Sequence, residues 1–129
     1  MSKKILIADD EPSIVAALEF LLQRNGYEVY VARDGEEALR LVEAHDPDLV
    51  LLDVMMPIKS GYEVCMRIRE REDWRHIKII MLSAKGRDAE VNKGLSTGAD
   101  VYVTKPFSTR ELMDKIKDLL GQGTEAGSA

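Results

Sequence analysis

Leu49-Val50-Leu51-Leu52-Asp53 is a run of four apolar residues that stops on a carboxylate. Three other runs have the same form. Ile5-Leu6-Ile7-Ala8 stops on Asp9 and Asp10, Ile79-Ile80-Met81-Leu82 on Ser83, and Val101-Tyr102-Val103-Thr104 on Lys105-Pro106. Short runs rich in Ile, Val and Leu suit strands buried on both faces of a parallel sheet. In such a sheet all four ends lie on one rim, so three carboxylates, a hydroxyl and an ammonium converge there. These groups suit a divalent cation and a phosphoryl group carried on an aspartate.

Working outward, apolar runs begin near Ile5, Tyr27, Leu49, Ile77 and Val101, and segments with helical spacing separate them. In the first helix Ile14, Leu18, Leu21 and Leu22 share a face, Pro12 sits near the start and Asn25-Gly26 stops it. The second follows Asp34-Gly35 and carries Ala38, Leu41 and Val42, with Pro47 beyond its end. The third follows Ser60-Gly61 with Val64, Cys65 and Ile68. The fourth, about residues 87–96, has a weak apolar face of Ala89, Val91 and Leu95. The fifth starts from Ser108, with Glu111 at capping-box spacing and a stripe of Leu112, Ile116, Leu119 and Leu120.

Five alternations of strand and helix predict parallel strands joined by right-handed crossovers. Strands 1, 3 and 4 are almost wholly apolar and belong in the centre, whereas Tyr27-Glu28-Val29-Tyr30-Val31 alternates and reads as an edge. The predicted architecture is α/β: a flavodoxin-like three-layer sandwich, its five-stranded parallel sheet in the order 2-1-3-4-5 and flanked by five helices. Ligands of such sheets bind beyond the carboxyl ends of the strands, where strands 1 and 3 diverge. Asp9, Asp10 and Asp53 are placed together at that point.

The 129 residues fit one domain, and 45% hydrophobic content is enough for one core. The net charge of −5 argues against nucleic-acid binding by this domain, which usually needs a basic face. One cysteine, Cys65, excludes an internal disulfide and suits a reducing compartment. Met1-Ser2-Lys3-Lys4 leads into too short an apolar run for a signal peptide, and no stretch approaches the length of a spanning helix. The expected location is the cytoplasm, without membrane attachment. Residues 1–120 read as one domain, and the small, polar residues 121–129 as a flexible tail or linker stub.

Three carboxylates at one rim repel each other unless a cation intervenes, and magnesium (or manganese) fits a site of hard oxygen ligands that meets a phosphate. Asp10 and Asp53 are the candidates for direct ligands, Asp9 acts directly or through a water, and a backbone carbonyl just after Asp53 supplies another oxygen. Asp53 is the candidate nucleophile, for which a carboxylate needs no base at neutral pH. Lys105 is placed to bind one phosphoryl oxygen and Ser83 to donate to another. His45 and His76 lack metal-ligand spacing and read as surface residues. Two further readings stand beside this one. An aspartyl phosphatase of the haloacid-dehalogenase type usually has two aspartates one residue apart after the first strand, whereas here the pair is adjacent. A binding module that has lost the chemistry would not need the complete set.

At these residues the chain resembles the receiver domain of bacterial two-component response regulators. Ile7-Ala8-Asp9-Asp10-Glu11-Pro12 resembles the family's acidic pair, and Leu52-Asp53-Val54-Met55-Met56-Pro57 with Gly61 its phosphoacceptor strand end. Leu82-Ser83-Ala84 matches the hydroxyl position, and Gly98-Ala99-Asp100-Val101-Tyr102 with Thr104-Lys105-Pro106-Phe107 the last strand and lysine. The match covers Lys3 to about Leu120. The resemblance implies that a sensor histidine kinase or phosphotransfer protein donates its phosphoryl group to Asp53. It implies a metal on Asp10, Asp53 and the Met55 carbonyl, a switch through Ser83 and Tyr102, and a cis bond before Pro106. It further implies an output face on the fourth helix, fifth strand and fifth helix, open to a phosphorylation-dependent homodimer or an output domain. Met55 and Lys85 fall where the family sets phosphate lifetime, and the bulk of Met55 is expected to lengthen it. The only catalysis implied is assistance to its own phosphorylation and dephosphorylation. Lys59 departs from the acidic or small polar residue common there.

Overall fold

The computed structural model describes residues 2–84 and 88–121. The elements are β1 (Lys4–Ala8), α1 (Pro12–Arg24), β2 (Glu28–Ala32), α2 (Gly35–His45), β3 (Leu49–Asp53), α3 (Gly61–Glu70), a 3-10 turn (Glu72–Trp74), β4 (Lys78–Ser83), α4 (Asp88–Ser96), β5 (Val101–Thr104) and α5 (Thr109–Leu119). All pairings are parallel and the order is β2-β1-β3-β4-β5, as the apolar runs predict.

Side chains alternate across a strand, so each central strand feeds two cores. Leu6, Val50, Leu52, Ile79 and Met81 face the layer built from Ala38 and Val42 of α2 and Val64, Cys65 and Ile68 of α3. Ile5, Ile7, Leu49, Leu51, Ile80 and Leu82 face Val15, Leu18 and Leu22 of α1 and Leu112, Met113 and Ile116 of α5. Burying each large aliphatic side chain contributes about 1.5–3 kcal/mol, which holds the three layers together.

Three helices begin on a side-chain cap. Asp34 accepts from the Glu37 N–H, Ser60 from that of Glu63 and Ser108 from that of Glu111. Each satisfies a backbone donor that the first turn leaves unpaired, at about 1 kcal/mol. Asn25 ends α1, and Gly26 follows it at a φ of 87°, a conformation that glycine adopts at no steric cost.

α4 departs from the sequence expectation. Ala89 and Leu95 are exposed and Val91 is half-buried, while Gly94 alone among the helix's described residues is buried. A Cβ on Gly94 would lie 2.5 Å from the Tyr102 ring and 3.0 Å from the Met81 sulfur. The helix therefore meets the sheet through a bare backbone turn, and its apolar residues point elsewhere. Among the described residues no helix is long and apolar enough to cross a membrane.

Candidate functional site

The ends of β1, β3, β4 and β5 form one rim. The register sets Ala8 beside Leu52, Asp53 beside Leu82 and Ser83 beside Thr104, so the residue after each pair projects from the same edge. Asp9 follows β1 and is wholly buried. Its Oδ1 accepts the Glu11 N–H at 2.9 Å, a turn that carries the chain into α1. Asp10 is exposed on the same rim. One carboxylate oxygen each from Asp9, Asp10 and Asp53 lie within 4.8 Å of one another.

Asp53 closes β3 with only 6% of its surface exposed. Its Oδ1 accepts the Met55 N–H at 3.3 Å and lies 3.6 Å from Lys105 Nζ. The Lys105 ammonium donates to Asp9 Oδ2 at 3.1 Å and stands 3.7 Å from Glu11 Oε1. The Lys105 N–H donates to the Ser83 carbonyl at 2.7 Å, which ties the last strand's end to the hydroxyl-bearing end of β4. Ser83 is buried, and the Lys105–Pro106 bond is cis. Met55 is exposed and Met56 partly buried, while Lys85 lies outside the described residues.

Three carboxylates, of Asp9, Glu11 and Asp53, share one lysine, and the imbalance shows in the titration of Asp53. Burial pushes the Asp53 carboxyl up to about 6, the Asp9 charge adds to the rise, and Lys105 and the Met55 N–H oppose it. Burial works against the Lys105 ammonium, yet the Asp9 hydrogen bond and the charges of Asp53, Asp9 and Glu11 outweigh it and leave its pKa raised. A set of hard oxygen donors left short of positive charge fits a hard divalent cation.

The loop from β3 to α3 holds this rim in place. A Cβ on Gly61 would lie 2.3 Å from the Asp53 carbonyl oxygen and 2.9 Å from Val54 Cα, while the Gly61 N–H donates to the Val54 carbonyl at 2.9 Å. Only glycine permits that approach. Gly61→Ala is expected to cost about 2–3 kcal/mol, read from urea unfolding, because backbone rather than a pliable side chain must give way. Within the loop Ile58 takes a φ of 72°, an unusual conformation for a β-branched residue, and exposes its side chain. Glu11 joins the neighbourhood without having been given a role by sequence, since it is an ordinary acidic residue before a helix.

Comparison with known proteins fits this geometry. The sequence matches the response regulator receiver domain family over residues 5–117. The alkaline phosphatase synthesis transcriptional regulatory protein PhoP of Bacillus subtilis (strain 168) is 48% identical over 120 residues, covering 93% of this chain and 49% of PhoP. The chain thus spans about half the length of that curated relative. The receiver domain of the Francisella response regulator 1452 superposes with a TM-score of 0.87 at 33% identity, covering 94% of this chain and 98% of that one. The receiver domain of sensor histidine kinase PA1611 from Pseudomonas aeruginosa PAO1, solved with a magnesium ion coordinated in its active site cleft, gives 0.86 at 30% identity, covering 94% and 99%. On the family match across most of its length, the chain belongs to the response regulator receiver domains of two-component signalling.

Proposed function

We propose that Asp53 is the phosphoacceptor of this receiver and takes its phosphoryl group from the phosphohistidine of a sensor histidine kinase or a phosphotransfer protein. The observation that carries the reading is the meeting of Asp9, Asp10 and Asp53 within 4.8 Å, with Lys105 Nζ 3.6 Å from Asp53. One Asp53 oxygen attacks phosphorus, the P–N bond to the imidazole breaks, and its electron pair stays on the ring nitrogen. The transition state is loose, so positioned charge matters more than a base. Lys105 meets one phosphoryl oxygen as a point charge and Ser83 donates its hydroxyl to another. Asp10, Asp53 and the Met55 carbonyl, with Asp9 directly or through a water, would hold a magnesium or manganese ion, which would supply the remaining positive charge.

Phosphorylation adds nearly two negative charges at a buried strand end. Ser83 and Tyr102 carry that change to the face of α4, β5 and α5, where Leu95 is 40% exposed. That face serves a phosphorylation-dependent homodimer or an output partner. The partner region lies in the same polypeptide, a reading supported by the match covering only 49% of the Bacillus relative, or in another protein. Residues 1–120 form the receiver, and residues 121–129 are a tail or a linker stub. The domain works in the cytoplasm, binds no nucleic acid itself, and catalyses nothing beyond its own phosphorylation and dephosphorylation.

Acetyl phosphate with magnesium, followed by intact-mass measurement, tests the reading. The expected result is one added phosphoryl group, absent in Asp53→Asn and absent when the metal is chelated. Phosphorylation that persists in Asp53→Asn overturns it.

A further inference from the structure

The loop that carries Met55 from β3 to α3 is held differently at its base and at its tip. At the base the Gly61 N–H donates to the Val54 carbonyl at 2.9 Å, and the Val54 N–H to the Leu82 carbonyl at 3.0 Å. At the tip the Lys59 N–H donates to the Pro57 carbonyl at 2.8 Å, with Ile58 between them at a φ of 72°. A γ-turn with positive φ is rare and strained, and it persists only where its surroundings hold it. The Ile58 side chain is 69% exposed, so packing of that side chain does not hold the turn.

The first turn of α2 does. The Gly35 N–H donates to the same Pro57 carbonyl at 3.3 Å. A Cβ on Gly35 would lie 2.3 Å from the Lys59 carbonyl oxygen and 2.6 Å from Lys59 Cβ. Nothing within α2 calls for glycine at this point. Gly35 opens the helix, its φ is not positive, and alanine is the better helix former. The missing side chain serves the loop opposite, and Asp34, which accepts the Glu37 N–H at 2.7 Å, fixes the turn that presents it.

We propose that Gly35 is a positioning residue of the phosphoacceptor site, which seats the γ-turn and thereby aims the Met55 carbonyl at the rim. This rests on the reading of that carbonyl as a metal ligand. Between the carbonyl and the seat lie Met56 and Pro57. The Pro57 ring fixes its own φ and confines Met56 to extended backbone, while the Met56 side chain packs on the core layer. The segment is a short stiff arm, so a displacement of Lys59 is passed back to Met55. A side chain at residue 35 turns that carbonyl without touching Asp9, Asp10 or Asp53.

Magnesium titration of the full chain by calorimetry tests this, with the Met55 carbonyl carbon labelled for NMR in parallel. In the wild type the labelled resonance should move as magnesium saturates. Gly35→Ala is expected to weaken magnesium binding about tenfold, as the loss of a group that orients a metal ligand does, and to reduce the movement of that resonance. Adding Lys59→Gly removes the Cβ from the contact and frees the backbone to turn, so the double variant should regain most of the affinity. Amide exchange needs no variant. Magnesium should slow exchange of the Gly35 N–H at least about threefold and leave the Asp46 N–H, at the far end of α2, unchanged. If the Met55 resonance stays still as magnesium saturates the wild type, the carbonyl is no ligand and the inference falls with that reading. If it moves, yet Gly35→Ala binds magnesium as the wild type does or the Gly35 N–H exchanges at the same rate with and without the metal, the seat is overturned and the ligand reading stands. Should Gly35→Ala not fold, the exchange rates decide alone.

Discussion

Asp53→Asn is expected to stabilise the metal-free domain by about 2–3 kcal/mol at pH 8, although it removes the phosphoacceptor. The folded protein holds the Asp53 carboxyl at about 6 against an ordinary 3.8, because burial and the Asp9 charge disfavour the anion. Below pH 3.8 both folded and unfolded chains keep this proton and the penalty is absent. Between 3.8 and about 6 the folded chain binds more protons than the unfolded one, so stability falls as pH rises. Above 6 the penalty is complete. The amide is neutral throughout, so the gap between variant and wild type should be full at pH 8 and shrink toward pH 4. Urea unfolding with a chelator present checks this, and equal stabilities at pH 8 would refute it. Magnesium should then favour the wild type, since a ligand of the folded state adds stability by mass action and the amide variant binds it less well.

Lys105→Met is expected to act in the opposite direction, at a cost of about 3 kcal/mol. The Lys105 ammonium is the one cation within 4 Å of Asp9 and Asp53 among the described residues, at 3.1 and 3.6 Å. Asp9 is wholly buried, so solvent cannot replace the lost partner. Magnesium should recover part of this stability by supplying charge to the same oxygens. Phosphoryl acceptance should not recover with it, falling at least about tenfold in acetyl phosphate labelling, because no donor then meets the phosphoryl oxygen that Lys105 serves. Lys105→Arg should restore more of the stability than of the labelling, since a planar fork does not reproduce a point charge. A variant as stable as the wild type without metal would show that the buried carboxylates do not depend on this lysine.

These two substitutions lie on a rim that was largely legible beforehand, and the reason is physical. A strand buried on both faces must be apolar along its length, so the first polar residue after it marks where it leaves the sheet. Asp9, Asp53 and Ser83 stand at such points, Lys105 follows the polar Thr104 on the half-buried β5, and the parallel order follows from the helical segments between them. α4 was not legible in the same way. Ala89, Val91 and Leu95 have the spacing of a buried face, yet the contact with the sheet is made by Gly94, which carries no hydropathy signal. Its significance depends on the ring of Tyr102 opposite, a partner no periodicity names. The link from Tyr62 to Glu90 escaped for a related reason, since a polar contact between two elements leaves no repeat in either. Ile58 is a third case. Turn chemistry would ask for glycine or asparagine at a φ of 72°, so the residue type there hides the conformation.

The way α4 is attached has a mechanical consequence. Four of the five helices are wedged to the sheet by aliphatic side chains, whose close packing leaves no intermediate positions. α4 hangs by a few directional bonds and a smooth glycine turn, so it is the compliant member of an otherwise stiff frame. A load applied at the rim will be absorbed where the frame yields most easily, and displacement of this one helix costs less than repacking any other.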